Sequence, residues 1–157
     1  MNQIADHNRW MQAALSLALT ASNMDEVPVG AIVVRNNQII GTGYNLREKD
    51  QNPLAHAELI AIRKAAQHLN SWRLIDCSLY ITLEPCLMCA GAIYQARISE
   101  VIIAASDPKA GATGSLYHIH QDQRLNHQFG LTEGIMADKS SSLLKQFFRT
   151  KRSKTKT

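Results

Sequence analysis

Two short motifs constrain the fold of this chain more than any other feature: His56-Ala57-Glu58 and Pro85-Cys86-Leu87-Met88-Cys89. One imidazole and two thiols are a ligand set that zinc favours in proteins. Three protein ligands leave the fourth position of a tetrahedral ion open to water, which distinguishes catalytic zinc sites from closed structural ones. Any fold must therefore bring these three side chains together, with the carboxylate of Glu58 beside them. We expect one Zn²⁺ ion per subunit at this point.

The first motif is predicted to stand at the entrance of a helix. Apolar residues recur at helical spacing from position 54 to 69, so His56 and Glu58 fall in the first turn. On a regular helix, side chains two positions apart point about 200° away from each other. Both can face one site only if they lie where the helix begins, which is a geometric requirement on the structure.

The second motif follows a predicted strand and is expected to open another helix. Proline is common in a first helical turn, so Pro85 predicts a helix that continues to about Ala96. Cys86 and Cys89 are three positions apart and would then share one helix face. The positive end of the helix dipole would also lower the pKa of these thiols.

The rest of the chain alternates helices with strands, which predicts a mixed sheet with helices on both faces. We expect a single domain over residues 1–157. Asn36 and Asn37 suit a tight hairpin because Asn tolerates positive φ, and Gly41 and Gly43 indicate close approach of another backbone. The predicted helices are 6–22, 54–69, 85–96 and 137–149, and the predicted strands are 29–34, 38–43, 78–83, 101–105 and, with a weaker pattern, 131–136.

Composition limits the class of protein. With 157 residues, 45% hydrophobic and 19% charged, the chain can bury the core of an ordinary globular domain. It has no apolar run near the roughly 18 residues of a membrane span and no basic, then apolar, start typical of a secretory signal. Since cysteines spaced C-x-x-C favour metal or redox chemistry in a reducing compartment, we expect a cytoplasmic location and no membrane partner.

The positive charge is concentrated at the C-terminus. Residues 149–157 carry five basic and no acidic side chains, so the net charge of +4 becomes −1 for the first 148 residues. A basic tail of this kind often contacts phosphate backbones. The alternative is a solvated, frayed terminus without a partner.

The remaining cysteine and histidines carry weaker expectations. Cys77 precedes a strand and is predicted to be a small buried hydrophobe. The other histidines are not needed as ligands, because a fourth protein ligand would close the site. His118, His120 and His127 are expected to be surface or RNA-facing, and His7 and His68 to lie on helix surfaces.

The paired motifs favour a catalytic zinc site over a structural metal or a redox dithiol. Zinc would make water reactive at neutral pH, and Glu58 would move protons between that water, a ring nitrogen and a departing amine. The spacing H-x-E…P-C-x-x-C resembles that of zinc-dependent nucleobase deaminases.

The chain as a whole resembles the bacterial tRNA-specific adenosine deaminases. The similarity runs from NRWMQAALSLA to FFRTKR and includes EVPVGAIVV, GTGYN, HAE, LYITLEPCLMCAGAI and SDPKAGATGSL. It implies a cytidine-deaminase-like fold, a three-layer α/β/α sandwich around a five-stranded mixed sheet. It also implies a homodimer that converts the wobble adenosine, position 34, of an arginine tRNA to inosine.

The resemblance implies residue roles as well. His56, Cys86 and Cys89 would bind zinc and Glu58 would be the proton donor. Asn45 would hydrogen-bond the target nucleotide, and Asp107 would read the adjoining RNA through a 2′-hydroxyl, so that RNA rather than DNA is expected. In the tail, an aromatic ring and cationic side chains would contact the anticodon stem-loop, as in binders of single-stranded RNA; these substrate-binding residues are Phe148, Arg149 and Arg152.

Three alternatives stay open on the sequence. Asn45 and Asp107 are also ordinary turn formers. The zinc site would equally serve a deaminase of a free base or nucleoside, such as guanine or cytosine. A non-catalytic, zinc-stabilised RNA-binding subunit is the third alternative, which the presence of Glu58 disfavours.

Overall fold

The computed structural model describes residues 3–155 of the chain. Its elements follow the predicted alternation of helices and strands. In chain order they are α1 (Gln3–Asn23), β1 (Gly30–Arg35), β2 (Gln38–Tyr44), α2 (Ala57–Leu69), β3 (Ser78–Leu83), α3 (Leu87–Gln95), β4 (Glu100–Ala105), a 3₁₀ turn (Ile119–Gln121), β5 (Gly130–Thr132) and α4 (Ala137–Thr155).

The strands form one mixed sheet in the order β2-β1-β3-β4-β5. Strand β1 is antiparallel to both β2 and β3, whereas β3, β4 and β5 run parallel to one another. The carboxyl ends of β3 and β4 therefore open at the same edge of the sheet, where ligand sites of α/β proteins commonly form. The predicted five-stranded mixed sheet is confirmed.

Each face of the sheet is covered by helices, which gives the predicted three layers. On one face, Ala57, Ala61 and Ala65 of α2 and Ile93 of α3 pack with buried residues of β1, β3 and β4. On the other face, α1 packs through residues such as Met11. Helix α4 lies beside it and contacts β3 and β4.

Helix α2 lies very close to strand β2 because that strand has no side chains at two positions. A Cβ atom at Gly41 would lie 2.3 Å from the carbonyl oxygen of Ala61, and one at Gly43 would lie 2.2 Å from that of Ala57. The predicted close backbone approach at both glycines is thus confirmed. It fixes the position of α2, and with it the first motif.

Three local predictions away from the two motifs were wrong. Strand β5 ends at Thr132 rather than continuing to Met136, because Gly134 and Met136 have φ of 80° and 59°. The predicted helix 137–149 continues to Thr155, so the basic segment is helical over residues 149–155 rather than frayed, and Lys156 and Thr157 lie outside the described residues. His7 is buried rather than on a helix surface, since its Nδ1 pairs with the hydroxyl of Tyr80 at 2.8 Å.

The predicted positions of Cys77 and His68 are confirmed. Cys77 is fully buried, and His68 is exposed on α2. On α4, the structure buries Phe147 and leaves its neighbour Phe148 42% exposed. Within residues 3–155, no helix has the length and apolarity to cross a membrane.

Candidate metal centre and active site

Both motifs begin their helices with a ligand residue. His56 is the N-cap of α2, with an extended backbone at φ −84° and ψ 149°, and Glu58 is the second helical residue. The required position at the helix entrance is confirmed. Because His56 lies outside the helix, its side chain is not forced to the side of α2 opposite to Glu58.

The start of α3 differs from the prediction in detail. Cys86 is the N-cap, with φ −75° and ψ 178°, so Pro85 precedes the helix instead of opening it. Cys86 and Cys89 therefore do not share a helix face, since only Cys89 is helical. The extended backbone of Cys86 nevertheless turns its thiol toward the same point.

Three ligand atoms converge between the two helix starts. The Nδ1 atom of His56 lies 3.8 Å from Sγ of Cys86 and 3.5 Å from Sγ of Cys89. All three atoms lie within 4.8 Å of one another, and among residues 3–155 no other group of His, Cys, Asp or Glu is arranged to hold a metal ion. His56 and Cys86 are half-buried, and Cys89 is fully buried.

The thiols are electrostatically unequal. Hydrogen bonds from Cys89 and His56 lower the pKa of Cys86 to about 3. The hydrogen bond with Cys86, together with burial, raises the pKa of Cys89. The bond to Cys86 also raises the pKa of His56. A cation that takes both sulfurs as thiolates must therefore displace a proton, mainly from Cys89.

Glu58 stands beside this cluster and is almost completely enclosed. Its residue is 4% exposed, and burial raises the pKa of its carboxyl group. A carboxyl group in such surroundings holds its proton more readily than one in water. It is thus able to accept a proton and return it within the cavity.

A cavity of about 670 Å³ opens beside the ligand atoms, a size that suits one nucleoside or base. Its walls come from the ends of β2, β3 and β4, the start of α2 and one side of α4. The lining residues include His56, Glu58 and Cys86 of the two motifs, together with Asn45, Asp107 and Phe148.

The two predicted nucleotide contacts also serve as turn formers. The side-chain oxygen of Asn45 accepts a hydrogen bond from the amide of Arg47 at 3.0 Å. One carboxylate oxygen of Asp107 accepts bonds from the amides of Lys109 and Ala110 at 3.1 and 3.3 Å. Both alternatives that the sequence left open are therefore compatible, because each residue shapes its loop and also lines the cavity.

Comparison with known proteins identifies the family. The profile of the MafB19-like deaminases matches residues 5–152. A tRNA-specific adenosine deaminase of Haemophilus influenzae is 44% identical over 149 residues, which cover 94% of this chain and 86% of the relative. The chain belongs to the tRNA-specific adenosine deaminase family. This membership makes the protein a deaminase and confirms the expectation of an enzyme.

Solved structures agree with this family. A structure from studies of A-to-I editing by tRNA:A34 deaminases superposes with a TM-score of 0.84 at 37% identity, over 87% of this chain and 99% of that one. The predicted cytidine-deaminase-like fold is confirmed. A guanine deaminase of Bacillus subtilis superposes less well, with a TM-score of 0.61 at 41% identity, over 68% of this chain and 66% of that one.

Two arginines of α4 line a second groove rather than the cavity itself. Arg149 and Arg152 lie in this groove, whose volume is about 530 Å³. Lys109, Lys145 and Phe148 line both the groove and the cavity, so the two are continuous. Helix α4 is held at its far end by an ion pair of 2.8 Å between Lys151 and Asp25.

Sequence reasoning missed two buried glutamates that hold the loops around the cavity. Glu26 accepts hydrogen bonds from the amides of Glu48 and Lys49 at 3.0 and 2.7 Å, in the loop after β2. Glu84 holds the loop after β4 in the same way. Burial acts to raise the pKa of Glu84, but its hydrogen bonds outweigh burial and lower that pKa. A glutamate beside Pro-Cys gave no sequence signal for this role.

The three histidines of the β4–β5 connection form a separate cluster. His118 is exposed, as expected. His127 is half-buried, with Nε2 donating to the carbonyl of Ile98 at 2.8 Å, and its ring stacks on Phe129. His120 packs against the same phenylalanine. The expectation of a surface or RNA-facing position is confirmed as a surface position for His118, and His120 and His127 are only half-buried.

Proposed function

We propose that this protein is a zinc-dependent hydrolytic deaminase that converts adenosine to inosine at wobble position 34 of a tRNA anticodon, with arginine tRNA as substrate. The observation that carries the proposal is the enclosed carboxylate of Glu58 in the wall of the cavity, beside three convergent ligand atoms. A purely structural metal site has no use for such a group.

The ligand set fits zinc. In a tetrahedral site with Zn–S of about 2.3 Å and Zn–N of about 2.0 Å, sulfur and nitrogen ligands lie about 3.5 Å apart. The observed separations of 3.8 and 3.5 Å are close to that value. His56, Cys86 and Cys89 would hold the ion, which supplies the Lewis acidity that makes water a competent nucleophile at neutral pH.

Glu58 would move the protons of the reaction. Its carboxylate takes a proton from the attacking water and passes it to N1 of adenine, which makes C6 electrophilic. It then carries the second proton of the water to the exocyclic amine, which leaves as ammonia. Water and adenosine thus give inosine and ammonia. The enclosed position keeps the carboxylate from exchanging its proton with bulk water.

The groove along α4 supports an RNA substrate. Phe148 offers an exposed ring at the border of groove and cavity, where a base next to the target could stack. Arg149 and Arg152 would contact phosphates of the anticodon stem-loop. Asn45 would contact the target nucleotide and Asp107 the sugar of a neighbour, in the walls that they already shape.

A Glu58→Ala variant tests the proton transfer. We expect this variant to keep one zinc ion per chain and to form no inosine, because the three ligands remain and the proton carrier is gone. Zinc is measured by emission spectroscopy, and inosine by sequencing arginine tRNA after incubation. A Cys89→Ala variant is the matched control and should lose both zinc and activity. Inosine formation by Glu58→Ala would remove this residue from the mechanism.

A free-base deaminase is the second candidate, favoured by the likeness to the guanine deaminase structure. Ammonia release from guanine, cytosine, free adenosine and arginine tRNA separates the two functions. We expect turnover of the tRNA alone, since a free base has no use for the groove along α4. Faster turnover of guanine than of tRNA would contradict the proposal.

A homodimer in the cytoplasm is also proposed, and sedimentation equilibrium tests the dimer.

A further inference from the structure

Glu84 is a buried carboxylate that takes no part in the proposed reaction. It directly follows β3, and its amide donates to the carbonyl of Ala105 at 2.8 Å, so it lies where β3 and β4 end side by side. Only 4% of the residue is exposed. Among residues 3–155, no ion pair involves it. Its charge is stabilised by other means.

All the hydrogen bonds to this carboxylate come from one loop. Oε1 accepts from the amide of Asp107 at 3.0 Å and from the hydroxyl of Ser115. Oε2 accepts from the amides of Thr113 and Ser115, each at 3.1 Å. A carboxylate has about four acceptor positions, so this one has none left for a substrate.

The loop closes around the carboxylate with little free space. A Cβ atom at position 111 would lie 2.1 Å from Oε2 of Glu84, so only glycine fits there. The amide of Ala112 donates to the carbonyl of Pro85 at 2.8 Å, which ties the same loop to the residue before Cys86. The loop therefore takes its shape from Glu84.

The same loop forms one wall of the cavity. Asp107, Lys109 and Ala110 line it, and the side chain of Asp107 accepts the amides of the other two. The position of Asp107 thus depends on a hydrogen bond from its own amide to Glu84. The ligand atoms come from other elements, the starts of α2 and α3.

We infer that Glu84 is a positioning residue that holds the 107–115 loop in the shape that receives the nucleotide beside the reacting base. This inference rests on the proposed function for the identity of the substrate. Glu84 borders the cavity, but both of its oxygens are occupied by donors of the loop. It therefore acts on substrate binding through the loop and leaves the chemical step to Glu58. A variant that frees the loop should raise KM and change kcat little.

Glu84→Gln keeps the shape of the side chain but turns an amide group toward two backbone donors. We expect KM for arginine tRNA to rise about tenfold or more, kcat to stay within about threefold, and zinc to remain at one ion per chain. Glu84→Asp, which keeps the charge, should recover part of the loss. Glu100→Gln removes a carboxylate at the other end of β4 and should leave both constants unchanged.

Hydrogen exchange provides a readout that needs no substrate. In Glu84→Gln, the amides of Asp107, Thr113 and Ser115 should exchange at least tenfold faster, while those of α2 stay protected. A wild-type protein without activity on tRNA would refute the proposed function but leave this test intact. The inference is overturned if exchange in the loop is unchanged, if kcat falls while KM stays constant, or if Glu84→Asp is no better than Glu84→Gln.

Discussion

The close contact between β2 and α2 makes Gly43 the position where a single methyl group should disturb the metal site most. In Gly43→Ala, the new Cβ would lie 2.2 Å from the carbonyl oxygen of Ala57 and 2.8 Å from the amide nitrogen of Ala61. Both obstacles are backbone atoms of α2 and cannot rotate away. The helix must move by about 1 Å before the contact becomes tolerable.

Two effects of different size follow from this movement. Overpacking of this kind destabilises a folded protein by about 1–3 kcal/mol, which lowers Tm by about 3–10 °C for a domain of this length. The displaced residue, Ala57, lies between His56 and Glu58. Since metal–ligand distances tolerate only about 0.2 Å, a shift of about 1 Å relative to the thiols should reduce zinc affinity strongly.

Two other glycines provide matched controls. Gly41→Ala would place its Cβ 2.3 Å from the carbonyl of Ala61, one turn further along α2, so we expect a similar loss of Tm with a smaller loss of zinc. Gly91 lies inside α3 with nothing within 4 Å of its missing Cβ. Gly91→Ala should therefore stabilise the protein by about 0.5–1 kcal/mol.

Thermal unfolding followed by circular dichroism gives the stability of each variant, and emission spectroscopy after dialysis gives its zinc content. The reasoning fails if Gly43→Ala keeps the wild-type Tm and zinc content. It also fails if Gly91→Ala causes the same losses, since the effect would then not depend on the contact with α2.

Two further predictions concern residues away from the metal ligands. Burial raises the pKa of Tyr80 to about 12, whereas an unfolded tyrosine has a pKa of about 10. The neutral phenol therefore stabilises the fold fully below pH 10, and this stabilisation is lost as the pH rises to 12. Tyr80→Phe should be less stable than wild type by about 1 kcal/mol at pH 7 in urea unfolding, a gap that narrows above pH 10; a gap independent of pH would contradict this. Arg152→Gln should weaken tRNA binding and lower the slope of log Kd against log salt by about 1. Arg9→Gln on α1 is the control and should leave both the affinity and the slope unchanged. Equal effects of the two substitutions would show that the groove along α4 is not the RNA contact.

The sequence predicted those features that depend on local spacing. The two-residue step from His56 to Glu58 required a helix entrance, and the structure has one. Glycines at 41 and 43 inside a strand required a close neighbour, which is α2. In each case the constraint lies within a few residues, where helix and strand periodicity determine direction.

Features that depend on distant partners could not be predicted in this way. The burial of His7 follows from Tyr80, 73 positions away, and the continuation of α4 is accompanied by the ion pair of Lys151 with Asp25, 126 positions away. The role of Glu84 depends on a loop about 30 positions later in the chain. No periodic pattern encodes such pairs, because the tertiary fold alone brings them together.

The N-cap positions of α2 and α3 imply a conflict between stability and chemistry. Neither His56 nor Cys86 hydrogen-bonds a free amide of its helix through its side chain. Ser, Thr, Asp or Asn at such a position would stabilise the helix by about 1 kcal/mol. Selection for a stable metal-free chain would therefore replace both residues and destroy the ligand set. These two helices begin with residues that are poor caps and good ligands, so a search for stabilising substitutions should leave both positions untouched.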